Sequence, residues 1–82
     1  MNEIVNIINA IDNVMRLTIL IYLYKNGPKT CNQIVDSSGE DADFIAYHLS
    51  ILKEVELISK NQKKYSITEK GKETIEKIQV IE

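Results

Sequence analysis

Residues 31–58 read CNQIVDSSGEDADFIAYHLSILKEVELI, and this stretch decides the fold. Ile45, Leu49 and Leu52 fall at i, i+4 and i+7, which lays one apolar stripe along a helix of about residues 41–54, with Asp41 as its N-cap. The same 100° step per residue turns Asp43, Ala46, Tyr47, Ser50 and Glu54 away from the stripe. Ahead of it, Cys31 to about Ser38 reads as a short helix that carries Ile34 and Val35 inward. Ser37-Ser38-Gly39 supplies the turn residues expected where two helices meet at a sharp angle. Two helices joined by so tight a turn make a helix-turn-helix over about residues 31–54.

Past Leu57 the period changes from helical to alternating. Ile58, Lys60, Tyr65 and Ile67 flank the polar run Asn61-Gln62-Lys63-Lys64, which predicts a two-stranded hairpin over about 58–67. Upstream, Ile4, Ile7, Ile8 and Ile11 define a helix of about residues 2–11. Asp12-Asn13 then caps a second helix with Val14, Leu17, Leu20, Ile21 and Tyr24 on its apolar positions. Gly27-Pro28 stops it: proline cannot extend a helix and Gly27 suits a left-handed cap, leaving Lys29-Thr30 as a short extended connector. Downstream, Thr68 precedes a last helix of about 69–80 whose only apolar stripe is Ile75 and Ile78. A stripe so thin cannot hold a helix alone, so this one is expected to pack on something, a second subunit above all. The fold class is mostly α with a small β-hairpin, in the order α-α-(β)-α-α-β-β-α, as one domain over 1–82. No internal repeat, low-complexity run or linker interrupts it.

Composition sets the limits on function. With 82 residues the chain buries only about 60 to 65% of its unfolded surface, so stability is marginal and oligomerisation is expected. The terminal stripes, Ile4, Ile8 and Ile11 with Ile75, Ile78 and Ile81, are the expected seam of a homodimer. One cysteine, Cys31, and one histidine, His48, exclude a disulfide framework and fall short of the ligands a structural zinc site needs. Cys31 without a resolving partner reads as an inert thiol, His48 as a packing histidine and Arg16 as a local structural pair. No run approaches 18 apolar residues and no basic region precedes an apolar core, so neither a membrane partner nor a secretory signal is expected; the location is cytoplasmic. Gly27, Gly39 and Gly71 fall at apparent helix or turn ends and form no phosphate loop, and no Ser/His/Asp set or HExxH motif occurs. No enzyme activity, cofactor or metal is expected.

The motif order carries a resemblance. Ala10-Ile11-Asp12-Asn13-Val14-Met15-Arg16-Leu17-Thr18-Ile19-Leu20 resembles the Ala-x-x-x-Pro-x-Arg-Leu-x-Ile-Leu opening of ArsR-type and related prokaryotic and archaeal winged helix-turn-helix regulators. Gly39 followed by Ala46 to Ile58 is similar to their turn and recognition helix, Ser-x-His-Leu-x-x-Leu-x-x-x-Gly-Leu-Val. Tyr65-Ser66-Ile67-Thr68-Glu69-Lys70-Gly71 resembles the Tyr-x-Leu-Thr-x-x-Gly that leaves the wing. The chain departs from the pattern at Val14, where the family has Pro, and at Glu56, where it has Gly. It also lacks the family's metal-sensing motifs: Cys31-Asn32-Gln33 holds no cysteine pair, and the last helix has neither His nor Cys.

The resemblance implies a transcription regulator, not metal-sensing, whose helix 41–54 enters the major groove of double-stranded DNA while the wing 58–67 meets the backbone. Mapped onto this chain, the DNA-facing residues are Asp43, Ala46, Tyr47, Ser50 and Lys53 on the helix and Lys60, Asn61, Gln62, Lys63 and Lys64 on the wing. Charge pulls the other way. Across 30–64 six acids (Asp36, Glu40, Asp41, Asp43, Glu54, Glu56) oppose four bases (Lys53, Lys60, Lys63, Lys64), whereas a DNA binder ordinarily has a basic footprint. Asp41 is accounted for as a cap, while Asp43 either repels phosphate or accepts a hydrogen bond from cytosine N4. The competing expectation is a protein-interaction module whose acidic face docks a basic protein.

Overall fold

The computed structural model describes the backbone of residues 3–80 and the side chains of residues 5–78. Ile81 lies outside the described residues, as does the side chain of Ile4. The elements follow the expected order: α1 (Glu3–Ile11), α2 (Val14–Asn26), β1 (Lys29–Thr30), α3 (Cys31–Ser38), α4 (Ala42–Glu54), β2 (Ile58–Asn61), β3 (Lys64–Ile67) and α5 (Glu69–Val80). Side-chain oxygens start the helices. Asn13 Oδ1 accepts from the Arg16 amide at 3.1 Å. Thr30 and Gln33 form a reciprocal capping box, and Asp41 accepts from the Asp43 amide at 3.0 Å. Gly39 closes α3 in the left-handed region, φ 73 and ψ 10, donating to Val35 O. Gly27 also has positive φ, 83, but its ψ of -169 is extended rather than left-handed helical. The Pro28 ring that follows explains the difference, since Pro Cδ crowds a preceding residue held at helical ψ.

The Lys29-Thr30 connector becomes a third strand. The sheet order is β1-β3-β2, both pairs antiparallel, with Lys29 opposite Tyr65, and Ile58 opposite Ile67. Ile19, Leu20 and Leu23 of α2, Ile34 of α3, and Ile45, Leu49 and Leu52 of α4 share one core with Leu57, Ile58 and Ile75. Ile75 is only 1% exposed within a single chain. The support the thin α5 stripe needs thus comes at Ile75 from the chain's own α2 and β3, and Tyr24 of α2 adds a hydrogen bond to Glu76 at 3.2 Å. α1 and α2 meet at 92°, and no single helix is long and apolar enough to cross a membrane among the described residues.

The junction from α4 into the wing and out to α5 is held by the amide and hydroxyl of Thr68. Thr68 donates its amide to Leu57 O at 3.1 Å and its hydroxyl to Glu56 O at 2.7 Å, and the same hydroxyl accepts from the Gly71 amide at 3.0 Å. Gly71 is buried so close to this corner that a Cβ on it would lie 2.3 Å from Leu57 O. Close approach, not a helix end, is what requires glycine there.

Glu56, the position where the family pattern has glycine, adopts φ 65. The turn keeps its left-handed geometry and bears the strain, which costs a non-glycine residue about 1 to 2 kcal/mol. Glu56→Gly is therefore expected to stabilise the fold by about 1 kcal/mol, once the greater unfolded-state freedom of glycine is subtracted. A rise of about 4 to 8 °C in the melting temperature is the readout. An unchanged or lower value contradicts this reading of the turn.

Candidate nucleic-acid interface

The tight turn after α3 sets α4 across the domain with Ile45, Leu49 and Leu52 inward, so Asp43, Ala46, Tyr47, Ser50, Lys53 and Glu54 are all exposed. All but Lys53, which the family mapping supplied, are positions the helical period turned outward, and Tyr47 is 60% exposed. Sequence reasoning missed Phe44, which is 41% exposed on the flank between Tyr47 and His48. Its signal was its place a quarter turn from Asp43, at the edge of the outer face. Ser50 donates its hydroxyl to Tyr47 O at 2.7 Å, so it offers lone pairs outward rather than a proton.

Behind this face lies one buried polar group. His48 is 3% exposed, its ring edge-on to Phe44 (centroids 4.4 Å apart) and to Tyr47 (5.2 Å). Its Nδ1 lies 3.1 Å from Arg16 Nη1, a pure donor, which makes Nδ1 the acceptor and leaves the proton on Nε2. Nε2 is buried without a partner. Arg16 also donates to Ala10 O and, at 3.3 Å, to Asn9 O, so one guanidinium joins the last carbonyls of α1 to the recognition helix. His48 is a packing histidine as its place on the stripe suggested, whereas Arg16 is not a purely local pair: besides Ala10 O and Asn9 O it reaches His48, 32 positions on.

Burial and the neighbouring Arg16 both hold the His48 pKa below the ordinary 6.5. A base whose native pKa is depressed takes up its proton more readily when unfolded. Its stabilisation is therefore complete above pH 6.5 and drains away as pH falls from 6.5 toward the native pKa, at no more than about 1.4 kcal/mol per pH unit. In urea titrations between pH 7.5 and 5, the wild type is expected to lose stability that His48→Gln retains. Parallel curves for the two proteins contradict the assignment.

The wing offers its cations at the tip. Lys60, Asn61, Gln62, Lys63 and Lys64 are exposed, and the Lys60 ammonium lies 5.3 Å from the Tyr65 ring centroid. Asn61 pairs with Lys64, so Gln62 and Lys63 form a two-residue turn in which Gln62 takes φ 60. At the terminal helices, Ile8 is 54% and Val5 47% exposed, while Ile11 packs partly against the core and Ile78 is half-buried. Val5 adds an apolar position that the isoleucine stripe did not include. A groove of about 680 Å³ runs between α1, the end of α4 and the start of α5, lined by Asn6, Asn9, Arg16, Glu54, Glu56 and Lys70 among others. No group of three His, Cys, Asp or Glu side chains suited to a metal ion occurs among the described residues.

Comparison with known proteins agrees with this geometry. Residues 4–82 match the family model described as winged helix-turn-helix. Among solved structures, HlyU from Vibrio cholerae N16961 superposes with a TM-score of 0.81 at 21% identity, over 96% of this chain and 90% of that one. No curated protein matches in sequence. The chain belongs to the winged helix-turn-helix family.

Proposed function

We propose that the chain is a sequence-specific regulator of transcription of the ArsR type, without metal sensing, that acts in the cytoplasm as a homodimer on double-stranded DNA. The observation that carries this reading is the exposed face of α4, with Asp43, Ala46, Tyr47, Ser50 and Lys53 free of the core, on a fold whose wing holds Lys60, Lys63 and Lys64 at its tip. Residues of the recognition helix meet base edges while wing lysines meet only backbone, so sequence preference and salt dependence reside in different elements. Two such helices related by a twofold axis suit half-sites about 34 Å apart. The exposed Ile8 and Val5, with half-buried Ile78, supply the seam.

Sedimentation is expected to show a dimer at micromolar concentration, and Ile8→Glu with Ile78→Glu to shift it toward monomer. A monomer in the wild type, or an unchanged mass in the double variant, removes the seam. Asp43→Asn gives a test of sign on DNA. If Asp43 accepts from a cytosine amino group, the variant loses its preferred site; tighter binding to all sequences instead means the carboxylate only repels phosphate. The competing module reading draws on the same helix, whose outer face carries Asp43, Glu54, Phe44 and Tyr47 against the single base Lys53. Under that reading Asp43→Asn weakens a complex with a basic protein and duplex DNA does not bind.

A further inference from the structure

The side chains that grasp purines in the major groove are missing from α4. Guanine is read by Arg or Lys at O6 and N7, and adenine by Asn or Gln at N6 and N7. The sequence of α4, ADFIAYHLSILKE, contains no Arg, Asn or Gln, and its one lysine, Lys53, lies in the last turn, away from the N-terminal residues that meet bases. What the first two turns present is of another kind. Phe44 and Tyr47 stand exposed one turn apart with Ala46 beside them, and Asp43 adds a carboxylate that accepts only. These match the two features that mark pyrimidines in the major groove, the C5-methyl of thymine and the N4 amino group of cytosine.

The aromatic pair is also held in place. Both rings pack edge-on against His48, at 4.4 Å and 5.2 Å between centroids, and His48 is fixed in turn by Arg16 at 3.1 Å. The two rings have thus given up much of their rotamer freedom before any ligand arrives, which strengthens a contact as small as one methyl group.

We propose that α4 reads the pyrimidine edge of its target, with Phe44, seconded by Ala46 and Tyr47, contacting thymine methyl groups. This rests on the DNA-binding reading above and adds the class of base recognised. The test uses the intact wild-type dimer. A preferred duplex is selected from a random pool at 50 mM salt, and each thymine in it is then replaced in turn by deoxyuridine, which keeps base pairing and removes only the methyl. Affinity is expected to fall about fourfold for each contacted methyl, the worth of one buried CH₂. Phe44→Ala is expected to bind the thymine and uracil duplexes alike at the position Phe44 covers. If the wild type binds its selected duplex and is indifferent to every replacement, the pyrimidine reading is wrong while the regulator reading stands. If no duplex binds, both fall.

Discussion

Gly71→Ala is expected to lower the free energy of unfolding by about 3 kcal/mol, at the upper end of what overpacking ordinarily costs. The added methyl would meet Leu57 O at 2.3 Å and Ile67 Cγ1 at 2.7 Å, and the first of these is main chain that cannot rotate away. Leu57 O cannot retreat without loss either, because it accepts from the Thr68 amide at the corner where the wing leaves the sheet. Relief must come from moving α5, which breaks the hydrogen bond from the Gly71 amide to the Thr68 hydroxyl and disturbs Ile75 in the core. For a domain of this size the melting temperature should fall by about 12 to 24 °C. Thr68→Val makes the companion variant, since it leaves the shape nearly intact and removes only the hydroxyl that bridges Glu56 O and Gly71 N. It is expected to cost about 1 to 3 kcal/mol. A Gly71→Ala protein within about 0.5 kcal/mol of wild type, the level of a neutral surface change, contradicts this account of the junction.

Removing the three wing lysines together is expected to have the largest effect on binding. Lys60, Lys63 and Lys64 are exposed at or near the hairpin tip, and a homodimer presents two such tips. If all six meet phosphates, and each contact releases about 0.9 counterion on B-form DNA, then Lys60→Gln with Lys63→Gln and Lys64→Gln lowers the slope of log affinity against log salt by about 5. Each single variant should lower it by about 0.9 per subunit engaged. Preference among sequences should survive in the triple variant while Tyr47→Ala or Ser50→Ala reduces it, because in the proposed complex the wing would meet only backbone and the helix the base edges. The net charge of the reading module makes this a demanding test. With Asp43 and Glu54 exposed on α4, few cations remain to sustain binding once the wing is neutral. A salt slope unchanged in the triple variant would mean that the wing does not touch DNA.

The features legible in the sequence were those set by local chemistry. Asn13 and Asp41 are cap residues by side-chain type, and Gly39 breaks a helix by its own backbone freedom, so the starts of α2 and α4 and the α3–α4 turn were readable at residue level, whereas the Thr30 cap of α3 was not singled out. The outward positions of α4 followed from period alone. What was not legible depends on residues far apart in the chain. The order of elements already held a short strand at Lys29-Thr30, but its pairing with Tyr65 and Lys64 of β3 is not encoded locally. Ile75 belongs to the core because α5 lies on α2, a contact that no spacing within α5 encodes. His48 sat at the border of a stripe, and only the approach of Arg16, 32 positions earlier, turns that border into a buried clamp linking α1 to α4. Glu56 departs from the family pattern in residue type but keeps the positive φ, because the backbone geometry is imposed by Leu52 O and Lys53 O accepting from the Leu57 and Glu56 amides and by the Thr68 corner beyond.

Whether the acidic helix α4 on this fold nonetheless binds duplex DNA is decided by titrating the wild-type protein, its oligomeric state measured in parallel, against a pool of random duplexes at 50 mM and 200 mM salt. Measurable binding is expected at 50 mM, weakening steeply at 200 mM in proportion to the wing lysines engaged. No binding at 50 mM with the dimer intact would contradict it, and would assign the exposed acidic and aromatic face of α4 to a basic protein partner instead.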